Sequence, residues 1–258
     1  MLTIQPLDII PVWLVFPVTV ALGLLAAEIG FRIGGWWKER THTDKDSSVS
    51  AMMGASLALL AFLLAFLIGA AGDRYNARRL LVVEDANAIG TTELRARYLP
   101  EPYSTASRAL LKEYVNIRIP SATNADLTKI VARSEEIQDQ LWQSVVELVN
   151  QGQNSQVFAL YVDALNHMID VHGERNAAVH SRVAPTVLLG VYLVSLLGMM
   201  LVGFNSGIEG RRNWIALVVL VLMFAAVLTL IIDLDRPAEG FLVVSQQPML
   251  DLQKHLSR

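Results

Sequence analysis

MMGASLALLAFLLAFLIGAAGDRYNARRLLVVEDANAIGTTELR, residues 52–95, carries no charge as far as Gly72 and is then crowded with them: Asp73, Arg74, Arg78, Arg79, Glu84 and Asp85. The uncharged part begins at Val49. Wound as a helix at ~1.5 Å per residue, such a run covers the ~30 Å of hydrocarbon in a bilayer. Inside lipid the backbone must satisfy its own hydrogen bonds, so the run is a helix and not an open strand. Three further uncharged runs occupy residues 9–27, 183–208 and 213–232. The expected fold is therefore all-α and polytopic. Its transmembrane helices fall at 9–30, 51–72, 184–204 and 213–233, with a helical soluble insert at 73–182 and a C-terminal tail at 234–258.

The composition agrees. Of 258 residues, 53% are hydrophobic and 17% charged, against about 25% charged in an ordinary soluble domain. The leading segment MLTIQPLDII has no Lys or Arg, so the first run reads as a span and not as a cleaved signal peptide, whose n-region is positive. Trp13, Trp36 and Trp37 flank it, as interfacial aromatic belts do. A net charge of −3 gives no footprint for nucleic acid, and none is expected as a partner. The absence of cysteine removes disulfides, thiolate metal sites and thiol nucleophiles.

The insert mixes Glu84, Glu93, Glu113, Glu135 and Glu147 with Arg78, Arg95, Lys112 and Arg133, the pattern of a solvated surface. Leu127, Ile130, Val131, Ile137, Leu141, Val145, Leu148 and Val149 recur at helical spacing behind Asn124 or Asp126 as N-cap. Leu110, Leu111, Tyr114 and Val115 form a second such set. Phe158, Tyr161, Val162, Leu165, Met168 and Ile169 form a third, leading toward the third span. Pro100-Glu101-Pro102, Pro120-Ser121 and Gln151-Gly152 mark breaks. These imply three to five helices continuous with spans two and three.

Four spans put both termini and the insert on one face. Arg32, Lys38, Arg40, Lys45, Arg211 and Arg212 fall in the short loops of the other face, against Arg236, Lys254 and Arg258 at the termini. A short-loop count thus places the insert outside the cytoplasm. Arg74, Arg78, Arg79, Arg175 and Arg182 on the insert's flanks bring the tally back close to even.

No catalytic constellation is present, and no enzymatic activity, cofactor or metal is expected. His42, His167, His172, His180 and His255 show no metal-ligand spacing; His172 and His180 share a helix face with Asn176 but read as packing or surface residues. Gly30 and Gly34 form a Gly-x-x-x-Gly at a helix end beside charge, a weak pairing signal. On span two, Ala51, Gly54, Ala55, Ala58, Ala61, Ala65, Gly69 and Gly72 fall in one stripe about a third of the circumference wide. Phe62 lies in it and Phe66 at its margin. Such a stripe is either a seam for close helix packing or a pore face constricted by two phenylalanines. Asp233 and Asp235 emerge after span four on the face of Arg74 and Arg78, where ion pairing is reasonable.

DRYNARRLLVVEDANAIGT after span two and DLDRPAEG after span four resemble the bestrophin-like domain family of bacterial membrane proteins, remote relatives of the bestrophin anion channels. The topology extends the resemblance over nearly the whole chain. Arg74, Tyr75 and Arg79 fit the motif after span two; Asp233, Asp235, Pro237 and Gly240 fit the one after span four. Tyr75-Asn76 departs from the family's tandem tryptophans and Ala238 from its phenylalanine. The dense acidic run of the calcium-gated members is absent, so calcium activation is not carried over. The resemblance implies a pentamer whose second spans line a pore with a neck at Ala58, Phe62 and Phe66, of which Ala58 is not bulky. It also implies a cytoplasmic insert, against the short-loop count, in a multi-pass inner (plasma) membrane protein. An oligomeric channel for small inorganic ions is thus the expectation, with chloride-like anions favoured by aromatic edges. The rival is a non-conducting scaffold or sensor whose insert binds a protein. A transporter is disfavoured because no ionisable group lies near a span's centre; Glu28, with Arg32 at i+4, sits toward the end of span one.

Overall fold

The computed structural model describes residues 10–41, 47–119, 124–237 and 240–257. Over these the chain is helical without a strand, in eight helices: α1 Val12–Thr41, α2 Ser47–Ala96, α3 Tyr103–Arg118, α4 Asn124–Asn150, α5 Gln156–His180, α6 Pro185–Glu209, α7 Trp214–Asp235 and α8 Gln247–Leu256. Four of the helical stretches are long and apolar enough to cross a membrane. His42, Lys45, Pro120, Ser121 and Ala238, and the side chains of Asn124, Asp126 and Leu127, lie outside the described residues.

The helices form two compact units. Of the described residues, one comprises 10–75 with Arg182–Val243; the other comprises Asn76–Ser181 with 244–257. α2 contributes to both and is unbroken over 50 residues, about 75 Å at the α-helical rise.

In the first unit, α1 lies along α6. The contact is a reciprocal glycine seam: a Cβ at Gly30 would strike the Met200 carbonyl, one at Gly34 that of Phe204, one at Gly203 that of Ala27, and one at Gly207 that of Phe31. Only hydrogen fits there, so the two backbones touch along two Gly-x-x-x-Gly motifs. The weak signal at Gly30 and Gly34 is half of this seam, and Gly203 and Gly207 are the other half. Beside it, Leu60, Leu64, Leu67 and Ala71 of α2 pack with Leu188 and Val191 of α6 and with Leu228 and Ile231 of α7. Asn213 caps α7 by accepting from the Ala216 amide at 3.2 Å. Gly210, at φ 69°, ends α6 in the left-handed conformation that glycine favours.

In the second unit the periodic sets meet as expected. Leu111, Tyr114, Ile137, Leu141, Leu148, Tyr161, Leu165 and Met168 are fully buried, whereas Val149 is exposed. The expected continuity of the insert with span three is not found. α5 stops at His180, and residues 181–184 separate it from α6, which opens on Pro185; proline lacks the amide a continuing helix needs. The tail at 234–258 also contains α8, whose Met249 is fully buried and whose Gln253 donates to Asn116 of α3 at 2.9 Å.

Candidate functional site

The membrane part of α2 has two unlike faces. Leu60, Leu64, Leu67 and Ala71 are buried by the chain's own helices, while Ala58 is exposed and Phe62 and Phe66 are each 68% exposed. A Cβ added at Gly54, Gly69 or Gly72 would meet nothing within 4 Å. The small-residue stripe therefore is not a seam within this chain, where close approach is supplied by α1 and α6.

The charges that follow have separate tasks. Asp73 is exposed, Arg74 and Tyr75 are half-buried, Arg78 is buried and Arg79 exposed. Arg74 donates to the Ala70 carbonyl one turn back at 3.0 Å. The carboxylates after span four are almost sealed from solvent, Asp233 at 3% and Asp235 at 1% exposure. Each holds backbone. Asp233 accepts from the Phe241 amide at 2.8 Å and the Leu242 amide at 3.1 Å. Asp235 accepts from the Val183 amide at 2.7 Å and from Arg182 Nε at 3.2 Å. Gly240 sits at φ 133°, and a Cβ there would strike the Asp233 carboxylate, so the turn needs glycine on both counts. Arg236, also buried, donates to the Ile10 carbonyl at 2.7 Å. The motif after span four thus binds the end of α7 to the entry of α1 and the start of α6. Of the pairing expected with Arg74 and Arg78, no ion pair to Arg74 forms among the described residues; Asp235 pairs with Arg182 instead, and the backbone bonds satisfy acceptors that burial would otherwise leave costly.

Just past the middle of α1, Glu28 accepts from Arg32 Nε at 2.8 Å and also pairs with Arg212. The guanidinium of Arg212 lies over the Phe31 ring at 3.8 Å.

In the helical unit a buried ionic cluster surrounds Asp85, which has no exposure. Its Oδ2 accepts from Arg118 at 2.6 Å and from Arg175 at 2.6 Å. Arg118 also donates to the Tyr114 hydroxyl at 3.1 Å and to Nδ1 of His172. Gln138 donates to the same hydroxyl at 2.9 Å, and Arg175 donates to Gln246 at 2.8 Å. Burial first, and the Arg118 charge second, push His172 down to about 4, so it is a neutral acceptor at pH 7. Burial pushes Tyr114 up to about 12. Glu93, though burial opposes its charge, is held below the usual carboxylate range by hydrogen bonds from Arg108 and Arg97. His172 is therefore a packing histidine. His180 is exposed and donates to the Asn176 carbonyl, so the shared face does not become a site. Among the described residues no group of three or more His, Asp or Glu could hold a metal. The cluster escaped sequence reading because its members are 33 and 90 residues from Asp85; the one signal was a pair of arginines on otherwise apolar helix faces.

The model of the Bestrophin-like domain matches residues 20–249. No curated protein matches the chain. Among solved structures, a bacterial bestrophin homolog from Klebsiella pneumoniae is similar at 17% identity and TM-score 0.68, over 94% of this chain and 96% of that one. A variant of it gives 18% identity and TM-score 0.69, over 93% and 96%. At such identities the likeness is one of fold.

Proposed function

The chain belongs to the Bestrophin-like family, and from that premise we propose that it is an oligomeric ion channel, a pentamer whose α2 helices line the pathway. One helix per copy cannot enclose a pore, so conduction requires assembly. The observation that carries the reading is the bare face of α2, with its two aromatic rings opposite a fully packed apolar face. Phe62 and Phe66, one turn apart, form the neck, and Ala58 widens it on the other side. A ring of such side chains sheds water when the opening is a few ångströms wide, and this closes the path without a plug. The aromatic edges of a neck standing by itself would favour a partly dehydrated, chloride-like anion. Asp233, Asp235 and Arg236 tie the end of α7 to the entry of α1 and the start of α6. The helical unit and both termini face the cytoplasm in this reading, in an inner (plasma) membrane.

Purified protein in a planar bilayer under a KCl gradient, with native mass spectrometry of the same preparation, tests the reading. Current from a homo-oligomer is expected; a stable monomer without current would remove it. Reporter fusions at Gly152 and after Arg258 are both expected to read cytoplasmic, and two periplasmic readings would overturn the orientation alone.

The rival scaffold or sensor reading has one feature in its favour. A groove of about 700 Å³ in the helical unit, lined by Leu80, Val83, Asn87, Asp163 and His167 among others, lies between α2 and α5. A non-conducting oligomer that retains a protein partner through this groove would support that reading instead.

A further inference from the structure

Between Ser47 and Tyr75, α2 carries only two side chains charged at neutral pH, Asp73 and Arg74, and the structure separates them. Asp73 is seven residues beyond Phe66 and eleven beyond Phe62. At about 100° per residue it falls within roughly 20° of both rings, about 10 Å further along the axis than Phe66. Its side chain is exposed like theirs. Among the described residues no hydrogen bond or ion pair engages its carboxylate. Arg74 lies about 100° away around the helix, half-buried, with its guanidinium turned back onto the Ala70 carbonyl. Between Ser47 and Tyr75 the face that holds the neck thus carries one full charge, and it is negative.

We infer that Asp73 is an ion-binding residue, and that a ring of Asp73 carboxylates just beyond the neck makes the pathway select cations. This rests on the reading of α2 as pore lining. Each copy in the assembly contributes one carboxylate to the same level of the path. The aromatic edges of Phe62 and Phe66 offer only partial positive charge, from a quadrupole whose field falls off faster than that of a net charge. The carboxylate ring therefore outweighs them, concentrating monovalent cations at one mouth of the neck and repelling chloride. A cleft lined by one sign of charge raises the local counter-ion concentration by roughly tenfold or more. The cation-to-anion permeability ratio should change by a similar factor when the charge is removed.

The test is the reversal potential of wild-type, Asp73→Asn, Asp73→Glu and Asp73→Arg protein in planar bilayers under a KCl gradient. Wild type and Asp73→Glu are expected to reverse toward the potassium equilibrium potential. Asp73→Asn should move toward zero by roughly a tenfold loss of permeability ratio, and Asp73→Arg toward the chloride potential. The wild-type preference should also weaken at ~1 M salt, where the screening length falls to ~3 Å; a purely structural role would not produce that. An unchanged thermal midpoint in Asp73→Asn establishes that the fold is intact, as an exposed side chain allows. Current that reverses at one potential in wild type and Asp73→Asn, or wild type that reverses toward chloride, overturns this inference and leaves the channel standing. Absence of current from every variant overturns the channel reading and this inference with it.

Discussion

Replacing Phe62 and Phe66 together by alanine separates a pore face from a packing face on energy as well as on current. Each ring is 68% exposed, so the chain's own helices cover about a third of it. A phenylalanine offers 150–250 Å², which leaves roughly 50–80 Å² covered per ring. At about 25 cal/mol per Å² this is ~1–2 kcal/mol each, or about 3 kcal/mol for the pair. A fully packed phenylalanine costs about 3–5 kcal/mol on truncation to alanine. Rings buried against a second copy's helix would therefore cost ~6–10 kcal/mol together, with loss of assembly. The double variant is expected to stay assembled, lose only a modest part of its thermal midpoint, and conduct more or leak, because alanine widens and hydrates the neck. Thermal unfolding followed by size-exclusion chromatography, and ion flux from liposomes, can be measured on one preparation. A variant that falls apart and passes no more ions than wild type would refute the pore face.

Three further outcomes follow from other contacts. Asp85→Asn leaves Arg118 and Arg175 buried without a counter-charge and should cost about 3–5 kcal/mol in denaturant titrations; a loss below ~1 kcal/mol would mean that water reaches the cluster. His172 is held at about 4 in the fold and near 6.5 when unfolded, so between these values the unfolded state binds the extra proton. Stability should then rise with pH from about 4 to about 6.5, by ~3 kcal/mol at most, and be flat above. His172→Phe should remove that slope, and an identical slope in the variant would assign it elsewhere. Gly203→Val puts a side chain onto the Ala27 carbonyl and should part α1 from α6 with loss of folded protein, whereas Gly54→Ala should be neutral or slightly stabilising, since it meets nothing and alanine is the better helix former. Equal tolerance at both positions, read as folded yield, would contradict the glycine seam.

The spans were legible because length and absence of charge are properties of contiguous sequence, and so was the angular register of the α2 stripe. Asp73 was equally legible in principle. Its seven-residue spacing from Phe66 puts it on the stripe, but as the first charge after an apolar run it reads naturally as an interfacial anchor. The glycine seam was half legible. Gly30 and Gly34 stand beside charge, while their partners Gly203 and Gly207 hide in a long apolar run, and only folding shows that the two motifs face each other. Periodicity located the core of the helical unit down to Tyr114 and Met168. It could not join Asp85 to Arg118 and Arg175, since pairings of buried charges across three helices leave no spacing to read. The tasks of Asp233 and Asp235 were missed for a related reason: their donors are mainly backbone amides, which no side-chain identity announces.

The bonds around Asp233, Asp235 and Arg236 also fix an order of events during synthesis. The Ile10 carbonyl, the Val183 amide and the Phe241 and Leu242 amides come from the beginning, middle and end of the chain, and each finds its partner among Asp233, Asp235 and Arg236 at the C-terminal end of α7. The first three spans can enter the bilayer as they emerge, but none of these closures can form until the ribosome has passed Asp235, and those of Asp233 wait for Phe241 and Leu242. Val183 and Ile10, 52 and 226 residues from their partners, are the slow ones to meet. A nascent chain therefore holds its spans by helix seams alone until the last helix arrives, and a product cut short before Asp233 would expose the unmet Val183 amide and Ile10 carbonyl to quality control.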